Sequence, residues 1–315
     1  MKKLLTILLV LMLTLSMGSA LATETSDPAS VKNGGSFAIS KDYTITNDGT
    51  TFPGETITFE VTGDTPAVTI GSVAVGSNGH ADIVIQLPTY TRVGTYTYTI
   101  QEKAGSTAGV DYDTSEYTLT VTVVNGEEEG TFVCYPTVKG TDGDKLGNGI
   151  WEGIVNTYSA GSLSISKTVE GNMGDKTQYF TFTVTLTPEE GKTYEDAYSV
   201  SGGSYDENPT EVKVDGNGYT FHLKDGDTIT IENLPYGVGY TVTEAEADTD
   251  GYVTTVTGDT GKVDSAAKTA AFTNTKGVEI STGITTDNLP YIVLMGLVVL
   301  AGVAMIAKRR MTHNH

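Results

Sequence analysis

The chain has 315 residues, with 39 Asp and Glu against 19 Lys and Arg and a formal net charge of −20 at pH 7. Five of the basic residues but only one acidic residue, Asp287, lie within 1–22 and 283–315, so the part between carries 14 basic and 38 acidic residues. That balance excludes a basic footprint for nucleic acid or anionic lipid and describes a soluble, non-sticky surface. The single cysteine, Cys134, excludes an internal disulfide.

Residues 1–22 read MKKLLTILLVLMLTLSMGSALA. Two lysines precede a short apolar run that ends in the small-x-small pattern Ala20-Leu21-Ala22, which predicts a signal peptide cleaved between Ala22 and Thr23. Residues 23–35 read as a mobile tail.

From residue 36 the chain predicts an all-β fold. The segments TITFEVT, HADIVIQL, GTYTYTIQE, YTLTVTVV, YFTFTVTLT, TITIENL and GYTVTEAE alternate with period 2 and are parted by Gly, Asn and Asp turns. Amphipathic helix patterning is absent before the C-terminal segment, so the expectation is antiparallel sandwiches with one solvated face, where the threonines go. Cys134 falls in a strand and reads as a small hydrophobe.

Three landmarks occur twice in the same order: FAISKDY, YTYTIQEKA and GIVNTY, then LSISKTV, YTVTEAE and AFTNTK. They divide the chain into domains 36–158 and 161–276, which meet at Ser159-Ala160-Gly161. A junction that short predicts two domains set end to end as a semi-rigid rod.

Between the copies, the loop TVKGTDGDKLGNG carries Lys139 and Lys145. A strand over 150–158 leading into the domain junction would start roughly 25 Å away at ~3.3 Å per residue, which puts both lysines at the far end of the rod. After the second copy come Glu279-Ile280-Ser281-Thr282-Gly283, an uncharged run over 289–307, and a basic tail over 308–315 that opens with Lys308, Arg309 and Arg310. Nineteen helical residues span about 28 Å, roughly one bilayer core, and the basic tail favours a cytoplasmic C-terminus.

The repeated landmarks contain an oddity. By alternation Lys41 shares the inward face with Phe37 and Ile39, and Lys167 with Leu163 and Ile165. Glu102 falls with Tyr98 and Ile100, Glu244 with Tyr240 and Val242, Asn156 with Ile154 and Tyr158, and Asn274 with Phe272. A buried Lys, Glu and Asn can be reconciled in two ways. One is an ion pair with the amide as a hydrogen-bond partner, an arrangement that often fails to offset desolvation. The other is a covalent Lys–Asn isopeptide bond. Desolvation favours neutral Lys and neutral Glu, the amine is then a nucleophile, and the acid polarises the carboxamide and carries a proton to departing ammonia.

The two halves resemble the isopeptide-bonded, immunoglobulin-like domains of Gram-positive pilins and wall-anchored surface proteins. The matching features are Lys near the start of the first strand, Glu in a Y-x-V-x-E type strand and Asn in a final x-N-T strand, spread over roughly 36–276. The resemblance implies bonds Lys41–Asn156 and Lys167–Asn274, assisted by Glu102 and Glu244. The order of residues 279–283, apolar run and basic tail resembles the sorting signal cut by sortases, implying cleavage between Thr282 and Gly283. Ile280 stands where that motif usually has Pro, and Glu279 where it usually has Leu. A plain single-span anchor is the alternative. FVCYPTVKG is similar to a pilin motif ending in Tyr-Pro-Lys, with Thr137 at the lysine position.

These features imply a structural subunit of a sortase-assembled surface pilus, with Lys145, or else Lys139, as the acceptor joining one copy to the next. Its partners would be a sortase, further copies and minor pilins, and peptidoglycan. A wall-anchored monomeric adhesin or minor pilin is the second reading. An enzyme with an external substrate is disfavoured. The exported part has only His80 and His222, both reading as strand-surface residues, and no phosphate-binding glycine motif. The acidic stretches TDGDKLGN and DTDGY read as solvated loops rather than calcium sites, because Leu146 breaks the alternation of oxygen ligands. Neither cofactor nor metal is expected.

Overall fold

The computed structural model of the chain describes residues 30–140, 153–280 and 289–311. The signal peptide, the Ala22–Thr23 cleavage point, Lys145 and the Thr282–Gly283 bond lie outside the described residues. The chain divides into two compact units, the first built mainly from residues up to Gly161 and the second from Ser162 onward.

The first unit begins with β1 (Val31–Lys32), β2 (Ser36–Ile45), β3 (Glu55–Gly63), β4 (Thr69–Ile70), β5 (Val73–Val75) and β6 (His80–Gln86). It continues with β7 (Gly94–Lys103), β8 (Val110–Asp111), β9 (Glu116–Asn125), β10 (Phe132–Lys139) and β11 (Ile154–Tyr158). Two sheets face each other, one in the order β1-β10-β9-β7-β3-β5 and one in the order β4-β6-β2-β11-β8. Strand β9 shows how sequence makes the layer. Tyr117, Leu119, Val121 and Val123 are buried while Thr118 and Thr122 are exposed, the alternation that a pleated strand with one wet face requires. Cys134 is fully buried in the same core.

The second unit holds β12 (Ala160–Glu170), β13 (Phe180–Thr187), β14 (Tyr198–Gly202), β15 (Glu211–Val212) and β16 (Gly218–Leu223). It is completed by β17 (Thr228–Pro235), β18 (Gly239–Glu244), β19 (Val253–Thr257), β20 (Thr260–Lys262) and β21 (Ala267–Thr275). Its sheets run β15-β14-β17-β12-β21-β19 and β16-β13-β18-β20. Phe180, Phe182, Val184 and Leu186 point inward from β13, with Thr181, Thr183 and Thr185 on the other face.

Two expectations need correction. The sheets are not wholly antiparallel: β2 pairs with β11, and β12 with β21, in parallel. In each unit the two strands at opposite ends of the domain sequence become neighbours, and the rest of the domain supplies the long crossover that a parallel pair requires. Within the segment expected as a mobile tail over 23–35, residues 31–33 are held in place. Val31 and Lys32 pair with Cys134 and Val133, Val31 packs on the core, and the Asn33 side chain bonds both backbone groups of Tyr90.

Near the C-terminus, α1 (Leu289–Met311) covers the expected span 289–307 as a helix. Among the described residues no helix is long and apolar enough to cross a membrane.

Candidate cross-linking site

In the first unit the parallel register sets Lys41 opposite Ile154 and Tyr43 opposite Asn156. Lys41 and Asn156 therefore share the inward face, one diagonal step apart on adjacent strands. Glycine makes the approach possible at the start of β11: a Cβ on Gly153 would lie 2.0 Å from the Ser40 carbonyl oxygen. Glu102 arrives from β7 in the facing sheet. Lys41 and Asn156 are fully buried, and Glu102 is 3% exposed.

The contacts are specific. Lys41 Nζ lies 3.0 Å from Glu102 Oε2 and donates to the Ile154 carbonyl at 3.3 Å. The Glu102 contact is an ion-pair distance off the line of a hydrogen bond. Asn156 Nδ2 donates to Glu102 Oε1 at 2.6 Å and to the Tyr43 hydroxyl at 3.0 Å. Asn156 Oδ1 accepts from the Asp113 backbone N–H at 2.8 Å. The Tyr43 hydroxyl in turn donates to Glu55, whose Oε2 also accepts from Tyr112 at 2.6 Å and Thr107 at 2.9 Å.

The second unit repeats the arrangement. Lys167 pairs with Phe272 and Val169 with Asn274, so lysine and asparagine stand on the same diagonal as in the first. Glu244, on β18 of the facing sheet, receives Lys167 Nζ at 2.8 and 2.9 Å and the Asn274 amide nitrogen at Oε1. Here Asn274 Oδ1 is buried with no hydrogen-bond partner. Lys167 Nζ sits 4.1 Å from the Phe180 ring centroid and 5.9 Å from that of Phe182.

Apolar walls set the electrostatics. Burial holds both lysine ammonium groups below their ordinary range, with the neighbouring glutamate opposing that shift in each unit. Burial also pushes the Glu102 carboxyl up, against the Asn156 and Lys41 contacts. A neutral amine beside a protonated acid is the combination that nucleophilic attack on an amide requires.

The structure thus brings together all six residues singled out by alternation, as two sets of three. It does not gather the others. Lys139 is the exposed last residue of β10, and Glu279 and Ile280 are exposed. His80 pairs on the surface with Asp42, and His222 lies half-buried against the Tyr205 ring. Among the described residues no group of three or more His, Cys, Asp or Glu is placed to hold a metal ion. Sequence reasoning missed Tyr43, Glu55 and Asp113. Tyr43 was within reach, since alternation from Lys41 puts it on the same face. Glu55 opens its strand and Asp113 acts through its backbone, so neither has a side-chain pattern to betray it.

Comparison with known proteins bears on this geometry. Residues 37–149 match the Spy0128-like isopeptide containing domain, and residues 161–276 match a domain of unknown function (DUF7601). The first match takes in Lys41 and Glu102 and ends short of Asn156; the second takes in Lys167, Glu244 and Asn274. A pilin of Streptococcus pyogenes serotype M1 is 28% identical, over 95% of this chain and 98% of its own length. The pilus tip adhesin Cpa of the same species is 36% identical over 40% of this chain and 18% of its own. Among solved structures, the major pilin from S. pyogenes aligns with a TM-score of 0.55 at 25% identity, over 78% of this chain and 100% of its own. The S. pyogenes major pilin T3.2 aligns at 0.53 and 25%, over 78% and 99%.

Proposed function

We infer that this pilin homologue is a structural subunit of a covalent, sortase-assembled cell-surface pilus, and that each of its domains is closed by an internal Lys–Asn bond. The observation that carries the reading is the recurrence of one buried Lys–Glu–Asn set, in one register, in both domains.

In the first domain neutral Lys41 Nζ attacks Asn156 Cγ. The Nζ–Cγ bond forms, the Cγ–Nδ2 bond breaks, and ammonia leaves. Glu102 touches both nitrogens, one with each oxygen, so it takes a proton from Nζ and returns one to Nδ2. Lys167, Asn274 and Glu244 perform the same exchange in the second domain. Each bond forms once and leaves no lysine amine buried in the core. The protein is not an enzyme toward other molecules and needs no cofactor.

Assembly follows from the chain ends. The signal peptide is removed after Ala22, and the segment 289–307 with its basic tail holds the exported chain at the membrane. A sortase cuts between Thr282 and Gly283 and passes the Thr282 acyl group to a lysine of the next copy, or at the base to peptidoglycan. Lys145 and Lys139 are the candidate acceptors. Minor pilins join through the same chemistry, and a host receptor is not assigned.

The test is a boiled, denaturing gel of cell-wall digests probed for this protein. A ladder of covalent multimers, lost in Lys145→Ala or Lys139→Ala, supports the reading and names the acceptor. A single band at monomer mass sinks it in favour of a wall-anchored monomer.

A further inference from the structure

The two sites share a lysine, an acid and an amide, but they do not share what faces the amide oxygen. In the first domain the two ends of the Asn156 carboxamide are fixed by chemistry. A backbone N–H only donates, so the atom 2.8 Å from Asp113 N is Oδ1, and Nδ2 must face Glu102 and Tyr43.

We propose that the Asp113 backbone amide is the oxyanion donor of the first cross-link: it polarises Asn156 Oδ1 and stabilises the negative charge that collects there when Lys41 Nζ adds to Cγ. The assignment rests on the cross-linking reaction inferred above and adds a second group to it. As the Nζ–Cγ bond forms, the carbonyl π pair moves onto Oδ1, where the Asp113 N–H meets it. The pair returns as the Cγ–Nδ2 bond breaks and ammonia departs. Glu102 is on the nitrogen side, so its task is the proton transfer from Nζ to Nδ2. The oxygen is served by a different group.

The donor is held in aim by its own side chain. The Asp113 carboxylate accepts from the Ser115 backbone N–H at 2.9 Å and from the Tyr117 hydroxyl, which pins the turn that follows β8. On the other side, the Tyr43 hydroxyl, anchored by Glu55, accepts an Asn156 amide proton and keeps the nitrogen turned away from Asp113. The carboxamide is oriented before attack, the condition under which an oxyanion donor acts without reorganisation.

The second domain lacks this device. Asn274 Oδ1 is buried without a donor, and the polar group that the carboxamide does meet is Glu244. A half-turn of that carboxamide would bring Oδ1 to Glu244, which then has to polarise the oxygen as well as move the proton.

The experiment follows both ammonia losses in one chain. The ectodomain is made by cell-free synthesis, quenched in guanidinium at intervals, and read by intact mass, with proteolytic peptides assigning each loss to its domain. Asp113→Pro removes the N–H. A second form places the α-hydroxy acid analogue of aspartate at position 113, so that an ester replaces the amide and the side chain stays. Loss of the first-domain ammonia is expected to slow by roughly a hundred- to a thousandfold, the cost of deleting one oxyanion donor, while the second-domain loss keeps its rate. If Asp113→Pro does not fold, the ester form decides. First-domain loss at the wild-type rate in the ester form overturns the assignment. A wild-type chain that loses no ammonia overturns the cross-linking reading itself.

Discussion

Lys167 stands directly opposite Phe272 on the neighbouring parallel strand, two residues short of Asn274. Lys41 stands opposite Ile154, two residues short of Asn156. Successive inward residues on a strand are two apart, so this offset is the nearest position at which an inward lysine and an inward asparagine on adjacent strands can converge on a third group from the facing sheet. The shared register places a glutamate carboxylate against both nitrogens in each domain.

The first expected outcome is a mass. The mature, freshly purified ectodomain weighs two ammonia molecules less than its sequence. Glu102→Ala and Glu244→Ala each restore one, because the neutral amine alone has no route for its proton. Full sequence mass in the wild-type protein would refute both bonds.

Removing a lysine tests the burial. Lys167→Ala abolishes the second cross-link and takes away the side chain that lies against the rings of Phe180 and Phe182 and contacts Glu244, 7% exposed. Truncating a buried side chain of that size and losing the cross-link with it costs about 2–5 kcal/mol. Guanidinium unfolding should show the second domain's midpoint falling accordingly, with the first domain unmoved. An unchanged midpoint would mean that Lys167 is neither bonded nor paired.

Gly153 is a third point of leverage. In Gly153→Ala the new methyl meets the Ser40 carbonyl and hydroxyl oxygens, each 2.0 Å from the ideal Cβ. The strand must give way beside Lys41, at a cost of about 1–3 kcal/mol. The variant is expected to form the second bond normally and the first slowly, as read by mass of the two domains after proteolysis. Equal rates would show that β11 enters by a different path.

The surface pair His80–Asp42 gives a pH prediction. The Asp42 carboxylate, 2.6 Å from His80 Nδ1, raises the imidazole pKa above its ordinary 6.5. A raised folded-state value means stabilisation that is fully present below 6.5 and fades as pH climbs through the raised value. A proton NMR titration of the His80 ring should have its midpoint above 6.5, and Asp42→Asn should bring it back. A midpoint unaffected by that substitution would exclude the pair in solution.

Much of the site was legible in FAISKDY and LSISKTV, because a half-buried strand commits every second residue inward whatever its partner. Lys41, Lys167 and the two asparagines were read from that rule alone. The parallel pairing was not, since alternation says which way a side chain points but nothing about which strand lies alongside or in which direction. Val31 and Lys32 were too short a run to read as a strand. Asp113 was invisible for a deeper reason: its contribution is a backbone N–H, which every residue but proline possesses.

The parallel pairing of β2 with β11, and of β12 with β21, also decides how each domain meets a pull on its two ends. Strands that run the same way, drawn apart by the start of one and the finish of the other, slide along their common axis. Their ladder bonds are then loaded in shear and must fail together, whereas an antiparallel hairpin pulled at its open end unzips one rung at a time. A Lys–Asn bond across that ladder would route tension from the first strand directly into the last, and the chain between them would carry none of it.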